Sequence, residues 1–374
     1  MSAFKINLST PHMSEEGYEL EYIHDAFRKN WIAPLGENVT AFEAAIRDFT
    51  GAAYSVALSA GTAALHLAMI LCGVKAGDKV FCQDLTFCAT VNPVTYNGGI
   101  PVFIDSEFDS WNMDPCALQK AIDLHGVPKA VVVTHLYGNP AKVNEIGQIC
   151  AKYNIPLIED AAEALGAVYE GHKCGTFGKF GVLSFNGNKI ITTSGGGMLL
   201  CKEEADAVHA LKLATQAREP FPWYQHEEIG YNYRMSNVCA GIGRGQAKVL
   251  PRRVDKKREI FRRYTEKLAG LPLSMQPALP GAESNNWLSV FALDPNCKLS
   301  PDAVISALRE KGIEGRHLWK PMHAQPVFAD NIFVSLGDAS VSDDLFSRGV
   351  CLPSDTKMTM DQVDQVCMVI RSLF

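Results

Sequence analysis

Short apolar runs alternate with helical patterns between about residues 54 and 201, and this alternation restricts the fold more than any other feature. The pattern predicts strands at residues 54–58, 79–82, 101–104, 130–134, 155–159, 181–185 and 197–201. It also predicts a helix at residues 62–72, where apolar residues recur at helical spacing. Strands that alternate with helices form a mostly parallel sheet covered on both faces. Ligands of such sheets bind beyond the carboxyl ends of the strands.

The remainder of the chain predicts a second, smaller domain. Helices are expected at residues 202–214 and 237–268, the latter with an interruption near Pro251. Residues 271–301 are rich in Pro, Ser and Asn, which indicates loops around one strand at residues 287–293. Further helices are expected at residues 302–311 and 361–373. We therefore expect a large α/β domain over residues 1–248 and a smaller α+β domain over residues 249–374.

Composition excludes several classes of protein. A formal net charge of -6 and a pI near 5.9 give no electrostatic basis for binding nucleic acid or an anionic membrane. No hydrophobic stretch is long enough to span a membrane and the N terminus lacks the apolar core of a secretory signal, so a cytoplasmic location is expected. The 11 cysteines are scattered singly, so neither a disulfide framework nor a metal site is predicted.

The segment Ser59-Ala60-Gly61-Thr62 has the form of a phosphate-binding turn. It follows a predicted strand and opens a helix, whose N terminus offers unpaired N–H groups and the positive end of the helix dipole. Gly61 allows close approach of the backbone to a ligand, and Thr62 can donate a hydroxyl. An ordinary strand–helix junction with an N-capping residue explains the same pattern, so the segment alone does not distinguish a phosphate site from such a junction.

An acidic residue, Asp160, stands at the carboxyl end of a predicted buried strand. A carboxylate in that position is costly unless it is paired. The protonated ring nitrogen of pyridoxal would be a suitable partner, because a carboxylate-supported pyridinium is the electron sink of pyridoxal chemistry. Capping of the following helix is an equally good explanation of Asp160.

Lys189 follows another predicted strand and a turn that contains glycine, and such a lysine can form a Schiff base with an aldehyde cofactor. Taken alone, a lysine after a turn is usually a surface residue. Ser184 can supply a further phosphate hydroxyl, and the glycines at residues 195–197 permit tight backbone geometry beside the site. Phe87 follows a further strand and can stack on an aromatic ring, although core packing explains it as well.

With these elements in this order, the chain resembles a fold-type I aminotransferase of the sugar aminotransferase family called DegT/DnrJ/EryC1/StrS. The motifs that carry the resemblance are EDAAEALG at residues 159–166, FNGNKIITTSGGGM at residues 185–198 and GYNYRMS at residues 230–236. The segments HLYGN at residues 135–139 and WKPMH at residues 319–323 are also typical of the family. The Lys189 segment is most similar to the subgroup that acts in bacterial N,N′-diacetylbacillosamine synthesis.

The resemblance implies pyridoxal 5′-phosphate as the cofactor and assigns roles by position. Lys189 takes the place of the Schiff-base lysine and Asp160 that of the partner of the pyridine nitrogen. Glu163 takes the place of the polar residue near the cofactor's 3-hydroxyl. The other implied cofactor contacts are the phosphate ligands Gly61, Thr62 and Ser184, the ring-stacking Phe87, and Asn232, which reaches the phosphate across a dimer interface. The active unit implied is a homodimer with shared active sites.

The implied reaction is transfer of an amino group from L-glutamate to C4 of a UDP-linked 2-acetamido-4-keto-2,6-dideoxyhexose. Alternatives within the fold are a GDP-linked (perosamine) or dTDP-linked keto-sugar, a pyridoxal-dependent sugar dehydratase, and a non-catalytic pyridoxal-binding protein. A dehydratase is disfavoured because such relatives carry histidine in place of Lys189. A nicotinamide dehydrogenase would need a G-x-G-x-x-G turn that the chain lacks after its first strand. Candidate contacts to the sugar nucleotide or the donor carboxylate are Arg218, Arg234, Trp319, Lys320 and His323.

Overall fold

The computed structural model describes residues 4–374, which form a large eight-stranded sheet, a four-stranded sheet and a three-stranded sheet. The strands are β1 Tyr54–Leu58, β2 Lys79–Gln83, β3 Ile100–Ile104, β4 Ala130–Thr134, β5 Leu157–Asp160, β6 Val168–Tyr169, β7 His172–Lys173, β8 Phe180–Ser184, β9 Gly197–Cys201, β10 Leu273–Met275, β11 Ala282–Glu283, β12 Ser289–Leu293, β13 Arg316–His317, β14 Phe333–Val334 and β15 Gly349–Leu352. The helices are α1 Tyr18–Arg28, α2 Glu37–Thr50, α3 Gly61–Leu71, α4 Asn92–Tyr96, α5 Pro115–His125, α6 Val143–Lys152, α7 Glu204–Ala214, α8 Asn237–Leu268, α9 Pro301–Glu310, α10 Val341–Arg348 and α11 Met360–Arg371.

The large sheet is mostly parallel, as the alternation of strands and helices predicts. Its strand order is β1-β9-β8-β5-β4-β2-β3-β14. Strand β9 runs antiparallel to both of its neighbours, β1 and β8. The other neighbouring strands pair in parallel. Strands β1, β5 and β8 therefore end at the same edge of the sheet, and the turns that follow them lie near one another.

The strands of the large sheet bury both of their faces. Every residue of β4 is buried, and its side chains alternate between two apolar clusters. Val132 belongs to the cluster that includes residues of α3, while Val131 and Val133 belong to the one that includes residues of α5 and α6. Burial of each such valine stabilises the fold by about 1.5–3 kcal/mol relative to exposure. Apolar runs without polar alternation therefore predicted these strands correctly.

Helix α8 corrects the expected interruption near Pro251, because it continues unbroken from Asn237 to Leu268 with Pro251 in its interior. A proline inside a helix removes one hydrogen bond and costs about 3 kcal/mol. Here Pro251 is exposed, while Val249, Leu250 and Val254 around it are buried against the rest of the protein. Packing of α8 against α1, α2 and α11 offsets the local cost.

The four-stranded sheet has the order β10-β12-β15-β13 and is antiparallel. It forms one apolar cluster with the last turns of α8 and with α9 and α11. The predicted boundary at residues 248/249 falls inside α8. Moreover β14, from the C-terminal third of the chain, pairs with β3 of the large sheet. The two predicted segments are therefore connected by a shared helix and a shared sheet.

Candidate active site

The turns after β1, β5 and β8 surround a cavity of about 480 Å³. Seven of the eight predicted cofactor residues line it, namely Gly61, Thr62, Phe87, Asp160, Glu163, Ser184 and Lys189. The remaining one, Asn232, is exposed and does not line the cavity. Residues that the sequence predicted to follow four different strands thus meet in one site.

Asp160 is the last residue of β5, and its carboxylate is almost fully buried. Thr90 donates its hydroxyl to Oδ2 at 2.6 Å, and the backbone N–H of Ala162 donates to Oδ1 at 3.1 Å. Both donors are neutral, so they satisfy hydrogen bonding without neutralising the charge. A buried carboxylate with this environment suits a cationic partner inside the cavity.

Lys189 places its amine in the interior of the site, and its side chain is only 13% exposed. Nζ lies 3.5 Å from Oε1 of Glu163 and 4.3 Å from the centroid of the Trp287 ring. Lys189 is therefore not a surface residue, although a lysine that follows a turn usually is one. The arrangement gives Nζ one acidic neighbour and one aromatic face, and it leaves the amine on the cavity wall.

Glu163 is buried, and burial raises the pKa of its carboxyl group although the charge of Lys189 opposes the shift. Its second oxygen accepts a hydrogen bond of 2.7 Å from the backbone N–H of Tyr137. Tyr137 has a left-handed backbone with φ of 58°, which is strained for a side chain other than glycine. The phenolic oxygen of Tyr137 in turn accepts the backbone N–H of Trp319 at 2.8 Å. Tyr137 thus joins Glu163 to the C-terminal wall of the cavity.

The turn Ser59-Ala60-Gly61-Thr62 brings the start of α3 close to the end of β8. A Cβ atom on Gly61 would lie 3.1 Å from Cβ of Ser184, so a larger side chain would separate the two elements. Helix α3 begins at Gly61 and has no side-chain cap, which leaves its first N–H groups free of a capping side chain. Thr62 and Ser184 line the cavity beside this helix start. The geometry suits a bound phosphate.

Of the predicted substrate contacts, Trp319 lines the cavity, whereas Arg218, Arg234, Lys320 and His323 do not. The guanidinium of Arg234 pairs with Glu43 at 2.5 Å and donates to the carbonyl of Ala57. Arg218 is exposed and stacks on Tyr224 at 4.2 Å, and Lys320 is exposed.

His323 connects two parts of the structure. Its Nδ1 contacts Asp84 at 2.8 Å, its Nε2 contacts Asp343 at 3.2 Å, and its ring stacks on Phe333. Burial alone would lower the pKa of His323, but the hydrogen bonds and charges of the two aspartates raise it. Asp84 is fully buried and also accepts the hydroxyl of Ser342, so this contact fixes the start of α10 against the end of β2.

Several residues of the site were not singled out from sequence, among them Thr90, Trp287, Asn188 and Arg316. Asn188 lies within the motif at residues 185–198, and Arg316 lies just before the motif at residues 319–323. Their closeness to these motifs could have identified them as site residues. Thr90 and Trp287 lie outside these motifs. The sequence around Thr90 indicates only a turn, and Trp287 begins a predicted apolar strand. Their positions depend on contacts between segments far apart in sequence, such as the 2.8 Å hydrogen bond from the Trp287 indole to the carbonyl of Asn188.

Residues 4–374 contain no group of three or more His, Cys, Asp or Glu side chains placed to hold a metal ion. No helix in this range combines the length and the apolar character that crossing a membrane requires.

The match to known proteins extends over nearly the whole chain. The DegT/DnrJ/EryC1/StrS aminotransferase family model matches residues 13–371. The chain belongs to this family. It is 52% identical to a Bacillus subtilis protein named "Putative pyridoxal phosphate-dependent aminotransferase EpsN", a match that covers 99% of this chain and 96% of the relative.

Two further relatives agree with this family assignment. The GDP-perosamine synthase of Vibrio cholerae is 32% identical, and the match covers 96% of this chain and 97% of that protein. The crystal structure of the aminotransferase TlmJ from Streptoalloteichus hindustanus superposes with a TM-score of 0.88 at 27% identity, over 98% of each chain. The chain is accordingly a transaminase of fold type I.

Proposed function

We propose that this family member transfers an amino group from L-glutamate to C4 of a UDP-linked 2-acetamido-4-keto-2,6-dideoxyhexose. At the coarser level it is a sugar aminotransferase that acts on nucleotide sugars. The observation that carries the proposal is the placement of the Lys189 amine beside Glu163, in the cavity that also contains the buried Asp160 carboxylate.

The cofactor is pyridoxal 5′-phosphate. The residues present fit it, because the Asp160 carboxylate has only neutral hydrogen-bond donors and Lys189 offers an amine on the same cavity wall. When bound, the cofactor supplies an aldehyde that carries the amino group and a protonated ring that takes up electron density from the reacting carbon. Asp160 would hold the proton on the ring nitrogen, and Gly61, Thr62 and Ser184 would hold the phosphate.

Lys189 performs two tasks in this proposal. It is the point of covalent attachment, and Nζ then removes and returns the proton of the reacting carbon as a general base. Glu163, 3.5 Å away, holds the amine in position and takes the place of the polar residue near the cofactor's 3-hydroxyl. Phe87 and Trp319, whose ring centroids lie 5.1 Å apart, wall the same cavity and exclude water from the reacting atoms.

A homodimer with shared active sites is part of the proposal, with Asn232 donated to the phosphate of the partner subunit. Asn232 is exposed and pairs with Thr215 at the base of the segment 215–232. This segment presents large apolar side chains to solvent, with Trp223, Tyr224 and Ile229 exposed by 59%, 78% and 81%. Exposed apolar groups of this size in one segment are typical of a protein–protein interface.

A GDP-linked 4-keto-6-deoxymannose is the second candidate substrate, because a GDP-perosamine synthase is among the relatives that match the full length of the chain. The two candidates differ in nucleotide and in the substituent at C2 of the sugar. UDP-, GDP- and dTDP-linked 4-keto-sugars, each incubated with glutamate and followed by NMR of the product, separate them. Turnover of only a GDP- or dTDP-linked sugar would refute the UDP assignment.

Reduction with sodium borohydride tests the role of Lys189. We expect the cofactor to become fixed to the peptide that contains Lys189, as detected by mass spectrometry after digestion. Lys189→Ala should abolish repeated turnover, while Lys202→Ala should not. The amine of Lys202 donates to the carbonyl of Phe177 and lies outside the cavity, which makes it a matched control. Repeated turnover of Lys189→Ala with glutamate would exclude Lys189 as the catalytic amine.

A further inference from the structure

The peptide group that joins Asn188 to Lys189 makes three hydrogen bonds. Its carbonyl oxygen accepts from the hydroxyl of Ser9 at 2.9 Å and from the indole N–H of Trp287 at 2.8 Å. Its N–H donates to the carbonyl of Asn186 at 3.0 Å. Two donors use both lone pairs of the carbonyl oxygen. The hydrogen-bonding capacity of this peptide group is therefore filled by the protein itself.

A peptide group that is fixed in this way restricts the lysine that follows it. Because the peptide bond is planar, its carbonyl, its N–H and the Cα atom of Lys189 lie in one plane. This plane determines where the lysine side chain starts, and beyond that point a lysine side chain has considerable rotamer freedom. The amine nevertheless lies 3.5 Å from Oε1 of Glu163 and 4.3 Å from the centroid of the Trp287 ring. Trp287 thus contacts the lysine segment twice, through its N–H at the backbone and through its ring at the amine.

Ser9 reaches this peptide group from the N-terminal segment, which is attached to the C-terminal part of the chain. The N–H of Leu8 donates to Oε2 of Glu314 at 2.9 Å, and the N–H of Thr10 donates to Oδ2 of Asp355 at 2.8 Å. These two hydrogen bonds flank Ser9 on either side in sequence. The hydroxyl of Ser9 is therefore presented from a fixed backbone.

The backbone of Trp287 is held in a similar way. Its carbonyl accepts a hydrogen bond from the buried amine of Lys257 at 2.7 Å, and its N–H donates to Oδ1 of Asn285 at 2.9 Å. The side chain of Trp287 is itself buried. Two anchored donors thus converge on the one carbonyl that directly precedes Lys189.

We propose that Ser9 and Trp287 are positioning residues for Lys189. By fixing the carbonyl of Asn188, they hold the Lys189 amine in the orientation from which it takes and returns the proton of the reacting carbon. This inference rests on the proposed function, in which Lys189 is the general base, and it adds the groups that hold this base in place. Precise placement matters, because a displacement of about 1 Å can slow a reaction about a hundredfold.

Single-turnover reaction of the holoenzyme with L-glutamate, protonated or deuterated at Cα, measures this positioning. Ser9→Ala removes one donor, and Trp287→Phe removes the other while it keeps an aromatic ring. Each variant should lower the rate constant at saturating glutamate roughly fivefold, the change in an equilibrium that loss of one hydrogen bond produces. The deuterium isotope effect should be at least as large as in the wild type, and the half-saturating glutamate concentration should stay unchanged. Ser9→Thr, which keeps the hydroxyl, should restore the rate constant.

Ser372→Ala and Trp111→Phe are the matched controls. Ser372 donates its hydroxyl to the carbonyl of Val369 at 2.7 Å near the C terminus, and Trp111 is buried but does not line the cavity. Both controls should keep the rate constant of the wild type. A single-turnover rate constant, unlike its amplitude, does not depend on the fraction of protein that is folded. Loss of stability alone therefore leaves it unchanged.

Covalent attachment of added pyridoxal 5′-phosphate to the apoprotein, followed by absorbance, tests the same restraint without an amino donor. Ser9→Ala and Trp287→Phe should slow this attachment roughly fivefold, and hydrogen exchange in the peptide that contains Lys189 should become faster by a similar factor. Unchanged attachment and single-turnover rates in both variants would overturn the positioning role. Slower single turnover with a smaller isotope effect would also overturn it, because a step other than proton transfer would then have been slowed.

The proposed function and the positioning role fail in different ways. A wild type that does not react with glutamate would refute the proposed donor, and the attachment rates of the variants would then decide the positioning role. A wild type that reacts with glutamate, together with variants whose rates all match it, would support the reaction and refute the positioning role.

Discussion

Lys257 provides a prediction that can be worked through in full. This lysine on α8 is fully buried, and its amine donates to the carbonyls of Trp287 and Ser354, both at 2.7 Å. Lys257 therefore fixes the backbone of Trp287, whose ring lies beside the Lys189 amine. Burial lowers the pKa of Lys257 from 10.5 to about 7, and the charge of Asp355 only partly opposes this shift.

The direction of the pH effect follows from the number of protons bound in each state. Between pH 7 and pH 10.5 the unfolded chain keeps this lysine protonated, whereas the folded protein does not. The folded state binds fewer protons, so the free energy of unfolding rises with pH over this window. The rise approaches about 1.4 kcal/mol per pH unit above pH 8 and amounts to about 2 kcal/mol between pH 7 and pH 9, because the folded protein is still half protonated at pH 7. A neutral amine still carries two N–H groups, enough for both carbonyls.

Lys257→Met isolates this contribution, because methionine has a similar length and no titrating group. Urea unfolding of the cofactor-saturated proteins, followed by tryptophan fluorescence between pH 6 and pH 9, gives the difference between wild type and variant. The two carbonyls lose their donor at every pH, which adds a constant cost of about 1–3 kcal/mol for each. The wild type should gain about 2 kcal/mol on the variant between pH 7 and pH 9.

Lys256→Met is the matched control, since the preceding lysine is partly exposed and pairs with Glu259 at 2.8 Å. It should show no comparable gain over the same range. If the difference between wild type and Lys257→Met stayed constant from pH 7 to pH 9, the buried amine would be equally charged in both states. The reasoning from burial would then be wrong.

Three further variants test the site and its surroundings. Asp160→Asn should lower the rate of the glutamate half-reaction, measured by stopped-flow absorbance, about a hundredfold, because a neutral amide no longer stabilises the charge on the ring nitrogen; a rate within twofold of the wild type would contradict that role. Gly61→Ala should weaken cofactor binding, measured by titration of the apoprotein, since its Cβ would lie 3.1 Å from Ser184; unchanged affinity would mean that the helix start does not hold the phosphate. His323→Gln should cost more stability at pH 6 than at pH 9, because the raised pKa of His323 gives a contribution that is complete below pH 6.5 and is lost as pH rises; a difference independent of pH would argue against a charged His323.

The sequence was sufficient to predict that seven of the eight proposed cofactor residues meet around one cavity, because those residues follow strand ends. Asp160 and Ser184 are the last residues of β5 and β8, and Gly61 begins the helix after β1. Apolar runs locate the strands, and the parallel arrangement brings their carboxyl ends together. Short elements were less predictable, and the two-residue strand β14 was not anticipated because it depends on pairing with β3.

Arg234 shows why the packing partners of the proposed substrate residues were harder to predict. An arginine in a family motif is a reasonable partner for a carboxylate, but the structure pairs it with Glu43, far away in sequence. His323 likewise contacts Asp84 of a distant strand end. Local sequence reveals the chemical type of a side chain, whereas its partner depends on tertiary packing between remote segments. The same limitation explains the missed Trp287 and the unbroken helix around Pro251.

The two sides of the site come from different parts of the chain, and this division has a consequence for the evolution of specificity. The residues proposed to hold the cofactor within one chain all lie between Gly61 and Lys189. Trp287, Arg316 and Trp319, which lie in the C-terminal part, form the rest of the cavity wall and are proposed to face the substrate. The Trp287 ring lies 4.3 Å from the Lys189 amine, so its substitution also alters the base, but substitutions at Arg316 or Trp319 can change the size and polarity of the sugar side of the cavity. Such changes should appear in the KM for the sugar, whereas changes in the first set should appear in kcat of both half-reactions.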